Sequence, residues 1–157
     1  MKKDFDSDLG ELEFQDFEGD LSYSCEKVLP ISEKKVHIFF KTNSFGILPS
    51  KLQKQFLQQI IENYDKILGS IELKIPDNLF GTLSEKPFGL REKYDLVTLG
   101  IPLNTINPKW DLSLVNKQDN ATHLLSNFEG TTCIRVWKEI APKRPLYLRI
   151  LLKLIGR

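Results

Sequence analysis

The stretch from Tyr94 to Trp137 most constrains the fold, because four short apolar segments follow one another there without a helical pattern. Segments rich in Val, Ile, Thr and aromatic residues, bounded by Asn, Asp, Gly or Pro, are typical of strands. Short loops between consecutive strands favour antiparallel pairing. We therefore expect a continuous antiparallel meander that buries Trp110, Phe128 and Val136. Its strands are YDLVTLGIP at 94–102, WDLSLV at 110–115, ATHLLSNF at 121–128 and TCIRVW at 132–137.

Two further strand signals lie near the start of the chain. Apolar residues alternate with acidic and polar ones on both sides of Gly19, which predicts a hairpin with Gly19 in its turn. The segment VHIFFK at 36–41 is nearly all apolar and predicts a buried strand. Residues 1–10 are acidic and end in glycine, and we expect them to be loosely ordered.

One helix is strongly indicated between residues 50 and 68. Ser50 and Gln53 have the spacing of a capping box, which satisfies amides in the first turn. Gly69 is placed to end the helix in the left-handed conformation. Apolar residues recur at the helical period, and they are Leu52, Phe56, Leu57, Ile60, Ile61, Tyr64, Ile67 and Leu68.

The C-terminal segment LYLRILLKLI at 146–155 fits both the helical and the strand period. We expect a helix, because Pro142 and Pro145 precede it and Leu, Arg and Lys favour helix. The predicted fold is thus one α+β domain over residues 1–157. It has an antiparallel sheet of about seven strands, one long helix at 50–68 and a C-terminal helix at 146–155.

Charge is distributed unevenly along a nearly neutral chain. The formal net charge is +1, which provides no overall field for binding nucleic acid. Residues 1–20 hold eight acidic residues against two lysines, whereas residues 138–157 hold six basic residues against one acid. The two ends either attract one another across the fold, or one of them docks a charged partner.

The sequence indicates a cytoplasmic protein. Met1-Lys2-Lys3 leads into acidic residues instead of an apolar signal segment. No apolar run approaches the roughly 18 residues that a membrane span requires. Cys25 and Cys133 form neither a CxxC motif nor a metal-binding spacing, and two free thiols suit a reducing compartment.

Candidate catalytic and ligand-binding groups are few. A general base could come from His37 or His123, and either could meet a cysteine in space, although neither belongs to a known nucleophile motif. The series Asp4-x-Asp6-x-Asp8 begins like a calcium loop but lacks the required Gly and Glu. Phosphate-binding motifs are absent as well, so we expect no metal and no cofactor.

The meander carries a resemblance to a known group of proteins. It is similar to the strand meander of small uncharacterised bacterial α+β domains, some of which are immunity proteins of polymorphic toxin systems. The resemblance implies a cytoplasmic protein that binds and blocks a toxin enzyme, and it implies no catalytic residue. It rests on Tyr94-Asp95-Leu96, Ile101-Pro102, Trp110-Asp111-Leu112-Ser113-Leu114, His123 and Phe128-Glu129-Gly130.

We therefore expect a non-catalytic binding protein that inhibits a bacterial toxin. Acidic residues suit that role, since nuclease toxins present basic clefts, and we assign partner binding to Asp16, Glu18 and Asp20. One alternative is a small hydrolase or transferase that uses His37 or His123 with a cysteine. Another is a peripheral membrane or scaffold module that acts through its C-terminal tail.

Overall fold

The computed structural model describes residues 2–80 and 88–140. Eight strands form one sheet in which spatial order follows chain order. The strands are β1 (Lys2–Asp6), β2 (Gly10–Phe17), β3 (Asp20–Val28), β4 (Lys35–Lys41), β5 (Tyr94–Ile101), β6 (Lys109–Asn116), β7 (Thr122–Glu129) and β8 (Thr132–Ile140). The helices are α1 (Lys51–Glu62), α2 (Tyr64–Lys74) and α3 (Leu90–Lys93).

The sheet consists of two antiparallel halves. Neighbouring strands are antiparallel within β1–β4 and within β5–β8, and the two halves meet where β4 and β5 run parallel. Parallel neighbours cannot be joined by a tight turn, and the three helices lie in the connection between them. The predicted meander is confirmed as β5–β8, with Trp110, Phe128 and Val136 buried.

The helices cover one face of the sheet and create the core. Phe56 of α1 packs edge-on against Trp110 of β6, with ring centroids 5.7 Å apart. Ser70 of α2 accepts a hydrogen bond from the amide of Cys133 in β8, at 2.8 Å. The largest fully buried side chains of the sheet include Leu12, Tyr23, Ile38, Phe40, Leu96, Leu99, Ile101, Leu112 and Phe128.

The capping box is confirmed, and it also ties the helices to the sheet. Ser50 Oγ accepts a hydrogen bond from the Gln53 amide at 3.2 Å, while Gln53 Oε1 accepts one from the Ser50 amide at 3.0 Å. The buried Gln53 Nε2 then donates to the carbonyl oxygens of Lys41 and Pro102, at 2.9 and 3.2 Å. One side chain thus fixes the start of α1 to the ends of β4 and β5.

The predicted single long helix was wrong. The helix is interrupted at Asn63, whose φ of −108° and ψ of 17° are not helical. The Asn63 side chain donates a hydrogen bond to the carbonyl oxygen of Gln59 at 2.9 Å. Asn competes in this way with the backbone hydrogen bonds of a helix. A second helix, α2, starts at once and contains Gly69 in its interior. It ends before Pro76, because a residue that precedes proline disfavours helical geometry.

The predicted sheet also needs correction. It has eight strands where about seven were expected, and it is mixed where purely antiparallel pairing was expected. The additional strand is β1, since residues 2–6 pair along β2 where we expected loosely ordered chain. The predicted helix at 146–155 lies outside the described residues.

Candidate functional site

The sheet face opposite the helices carries the polar and ionisable side chains, and we call it the open face. Its residues are known from the strand register, because side chains alternate between faces and directly paired residues share a face. One row crosses seven strands, from Glu13 through Ser24, Phe39, Gly100, Asp111 and Asn127 to Arg135. The adjacent row runs through Glu26, His37, Thr98, Ser113, Leu125 and Trp137.

The half of the open face formed by the first four strands contains an acidic recess of about 370 Å³. His37 Nε2 lies 2.7 Å from Glu26 Oε1. Lys3 Nζ lies 2.6 Å from a carboxylate oxygen of Glu11 and 3.9 Å from one of Glu13. Lys35 Nζ lies 3.8 Å from the second carboxylate oxygen of Glu26. Two lysines thus face three carboxylates, and the recess keeps an excess of negative charge. The recess is lined by Glu11, Glu13, Gln15, Ser24, Cys25, Glu26 and His37.

The predicted partner-binding residues Asp16, Glu18 and Asp20 lie together in the exposed β2–β3 turn. Phe17 pairs with Asp20, so the loop is Glu18-Gly19, and both residues have positive φ, 55° and 89°. Positive φ at both central positions defines a type I′ turn, which matches the twist of a hairpin. The prediction of Gly19 in the turn is confirmed.

These three acids differ in what they contact. Asp16 Oδ1 accepts a hydrogen bond from the Gly19 amide at 2.9 Å and so stabilises the turn. Asp20 forms an ion pair with Lys41. The Glu18 carboxylate makes no hydrogen bond or ion pair with any described residue, and the neighbouring Phe17 ring is 64% exposed. The tip therefore presents a free carboxylate beside an apolar ring.

The centre of the open face holds a carboxylate that sequence reasoning did not assign to the site. The Asp111 carboxylate lies close against Gly100: a Cβ at Gly100 would lie 2.5 Å from Asp111 Oδ1. Desolvation raises the pKa of Asp111, Lys41 lowers it, and Asp20 raises it further. No hydrogen bond joins this carboxylate to another described residue. The only sequence signal was a glycine inside a strand, which often marks a close approach.

The β7–β8 part of the open face is more apolar. The Arg135 guanidinium lies over the Trp137 ring, 5.0 Å from its centroid. Trp137 Nε1 donates a hydrogen bond to Glu139 at 3.2 Å. Trp137 and Leu125 help to line a second recess of about 280 Å³, which also contains Asp111. This half presents an aromatic surface between a positive and a negative group.

By register, the histidines that the catalytic alternative requires lie on one face of the sheet and the cysteines lie on the other. His37 and His123 are on the open face by their register. Cys25 lines the acidic recess together with His37, but it is buried and pairs with the core residue Ile38, and Cys133 is completely buried on the helix side. Burial raises the pKa of both thiols, so both are protonated at neutral pH and are poor nucleophiles.

The acids of the calcium-like series are engaged in the fold. Asp4 accepts a hydrogen bond from the Tyr23 hydroxyl at 2.7 Å. Lys54 Nζ lies 2.8 Å from Asp6 and 2.6 Å from Asp8. In residues 2–80 and 88–140, no group of three His, Cys, Asp or Glu side chains is placed to hold a metal ion.

A further cleft of about 230 Å³ lies at the opposite end of the sheet from the β2–β3 turn. Its buried carboxylate, Asp95, is neutralised by Lys34 at 3.1 Å and Lys117 at 3.6 Å. Arg91 at its rim is paired with Asp65. Because its charges are mutually compensated, this cleft is a weaker candidate than the open face.

Comparison with other proteins adds no assignment. No protein-family model matches the chain, and no curated protein or solved structure is significantly similar to it. Among the described residues, no helix is long and apolar enough to cross a membrane.

Proposed function

We propose that this chain is a non-catalytic binding protein that engages a basic protein partner through its open face. Within that class, we propose an inhibitor of a bacterial toxin enzyme, of the immunity or antitoxin kind, acting in the cytoplasm. The observation that carries the proposal is the exposed acidic surface formed by the β2–β3 turn and the adjoining recess.

The contacts of this surface suit protein recognition. A free carboxylate at Glu18 attracts a basic partner at long range and speeds the encounter. Phe17 beside it offers an exposed aromatic anchor, and aromatic residues at the centre of an interface contribute much of the binding energy. Glu13 and Asp111 extend the acidic character inward along the row that crosses the open face.

An inhibitor of this kind needs no chemistry of its own. It has only to cover a basic catalytic cleft, and the exposed acidic surface is complementary to such a cleft in charge. The resemblance of residues 94–137 to the meander of small bacterial domains supports the same class. Those strands form the sheet half that places Asp111 beside Gly100.

The two alternatives have less support. An enzyme built on His37 or His123 and a cysteine would need a reactive thiol beside an imidazole. Cys25 lines the recess together with His37, but both cysteines are buried and burial raises the pKa of both thiols. A peripheral membrane or scaffold role depends on residues 146–155, which lie outside the described residues.

Co-expression with the product of the gene directly upstream tests the inhibitor proposal. We expect that product to arrest growth when expressed alone, and we expect this chain to restore growth by forming a complex with it. If the upstream product is harmless, or if growth recovers without complex formation, the inhibitor proposal is wrong.

Stopped-flow association of the same two purified proteins, measured across a salt series, tests the docking surface. Glu18→Lys should lower the association rate constant more than it raises the dissociation rate constant, and the difference should shrink as salt shortens the screening length to about 8 Å at physiological strength. Glu33→Lys is the matched control, because Glu33 is an exposed glutamate in the β3–β4 loop at the other end of the sheet. Equal effects of both substitutions would remove the turn from the docking surface.

A further inference from the structure

Among the described residues, β1 and β8 form the two edges of the sheet, and they differ in how well they are protected from pairing with another chain. Edge strands expose unpaired amide and carbonyl groups, and proteins guard them by keeping them short or charged. The β1 edge has five residues, four of which are charged. The β8 edge has nine residues, and its exposed side chains include Ile134 and Ile140, at 47% and 67% exposure.

From the β8 edge we infer that this chain forms a two-fold dimer, with β8 of one copy pairing antiparallel with β8 of a second copy. The inference goes beyond the proposed function, and it uses the edge of the sheet farthest from the β1–β4 recess and the β2–β3 turn. Its failure would therefore leave that proposal untouched.

The register of the dimer follows from charge. A two-fold axis perpendicular to the sheet places the helices of both copies on the same side of the joined sheet. Such an axis passes beside one residue of β8, and that residue pairs directly with the same residue of the second copy. An axis at Arg135 or Lys138 would oppose two like charges, which destabilises cross-strand pairs. An axis at Val136 would oppose Arg135 to Trp137 and match no charges.

An axis at Trp137 is the self-complementary choice. It opposes Arg135 of each copy to Glu139 of the other, and residues 135–139 all lie beyond the irregularity that interrupts β8 between Cys133 and Arg135. Within one chain, Arg135 and Glu139 already flank the Trp137 ring, so both charges stand at the edge in the arrangement that the second copy needs. The two Trp137 rings would meet across the axis, as aromatic cross-strand pairs do.

The β1 edge does not offer the same match. A symmetric pairing of two β1 strands with Lys2 opposite Asp6 would place Asp4 directly opposite Asp4 of the second copy, so that two negative charges face each other. Asp6 is already occupied by Lys54 of α1. A second copy therefore fits β8 and not β1, and the dimer would present two open faces on one continuous sheet.

Sedimentation equilibrium of the full chain, from about 10 µM to about 1 mM, tests the dimer at the concentrations where small interfaces associate. We expect a reversible monomer–dimer equilibrium. Arg135→Glu and Glu139→Arg should each weaken it by about tenfold, because each change places two like-charge pairs in the interface. The double variant restores both pairs and should return to within about threefold of the natural chain.

The control is Glu33→Arg, a charge change of the same size far from β8, which should leave the equilibrium unchanged. Circular dichroism and a melting curve confirm that each variant folds, since Arg135 and Glu139 are exposed. A chain that stays monomeric at about 1 mM would overturn the proposal. So would a dimer that neither single variant weakens, because its interface would then lie outside β8.

Cross-linking locates the axis. Directly opposed Cβ atoms in antiparallel strands lie about 5 Å apart, so Trp137→Cys should oxidise to a disulfide-linked dimer. In Arg135→Cys the two introduced thiols would lie about 14 Å apart along the strands and should not join. The natural Cys25 and Cys133 are buried. Cross-linking of Arg135→Cys without cross-linking of Trp137→Cys would refute the Trp137 register.

Discussion

The two faces of the sheet contain residues from the same strands, but one face is packed against the helices and the other is not. On the helix side, the side chains are apolar or have a fixed partner, as Asp6 does with Lys54 at 2.8 Å. On the open face, Asp111 has no hydrogen-bond partner among the described residues, and its pKa is raised. Stability is therefore concentrated on the covered face, which leaves the open face free to change for binding.

The largest expected difference between the faces is at the adjacent residues Phe39 and Phe40 of β4. Phe40 is fully buried, and Phe40→Ala should lower the free energy of unfolding by about 3–5 kcal/mol because it leaves a cavity in the core. Phe39 is half-buried on the open face, and Phe39→Ala should cost about 1 kcal/mol or less. Urea unfolding measures both. Equal losses would mean that the open face is also packed.

The second comparison concerns the two carboxylates, Asp6 and Asp111. Burial raises the pKa of Asp6, but hydrogen bonds from Lys54 and from the amides of Asp8 and Leu9 outweigh it, so the net shift is downward. Asp6→Asn should cost about 1–3 kcal/mol at neutral pH. Asp111→Asn should leave the free energy of unfolding unchanged or slightly higher, because desolvation disfavours the charged form of the Asp111 carboxyl.

The pH dependence of these two variants should have opposite signs. A lowered pKa stabilises the fold above the unfolded value near 4, so the deficit of Asp6→Asn should shrink as pH falls below about 4. A raised pKa destabilises the fold at high pH, so any advantage of Asp111→Asn should also disappear in acid. Unfolding curves at neutral pH and near pH 3 check this. A deficit for Asp111→Asn at neutral pH would reveal a partner for its carboxylate.

A smaller effect is expected at Gly100. Gly100→Ala places a Cβ against the Asp111 carboxylate, and it should cost about 1 kcal/mol through overpacking. In an Asp111→Ala background most of that cost should vanish, because the two changes act on one contact. A double-mutant cycle in urea measures the coupling. Additive effects would mean that the carboxylate moves aside freely.

The smallest effect on stability is expected at the β2–β3 tip. Glu18→Lys changes an exposed residue without a described partner, so it should shift the free energy of unfolding by less than about 0.5 kcal/mol. Asp16→Lys should cost more, because it removes the hydrogen bond to the Gly19 amide. Melting curves of both variants separate a free carboxylate from a structural one. A large loss for Glu18→Lys would indicate a fold contact instead of a docking role.

The sequence by itself determined the local elements. Alternation and turn residues predicted β5–β8 and the hairpin around Gly19, because these signals act between near neighbours. The spacing of Ser50 and Gln53 predicted the start of α1 for the same reason. The break at Asn63 was not predicted, since the apolar stripe continues through Ile67 and Leu68 into α2.

Only the tertiary structure decided how these elements combine. The parallel pairing of β4 with β5 joins residues about 60 positions apart in the chain, and no local pattern encodes it. That pairing places Gly100 beside Phe39 and so connects the two halves of the row of open-face residues that contains Asp111. The β3–β4 register places His37 on one face and Cys25 on the other, and the side on which the helices pack decides which of the two faces is buried.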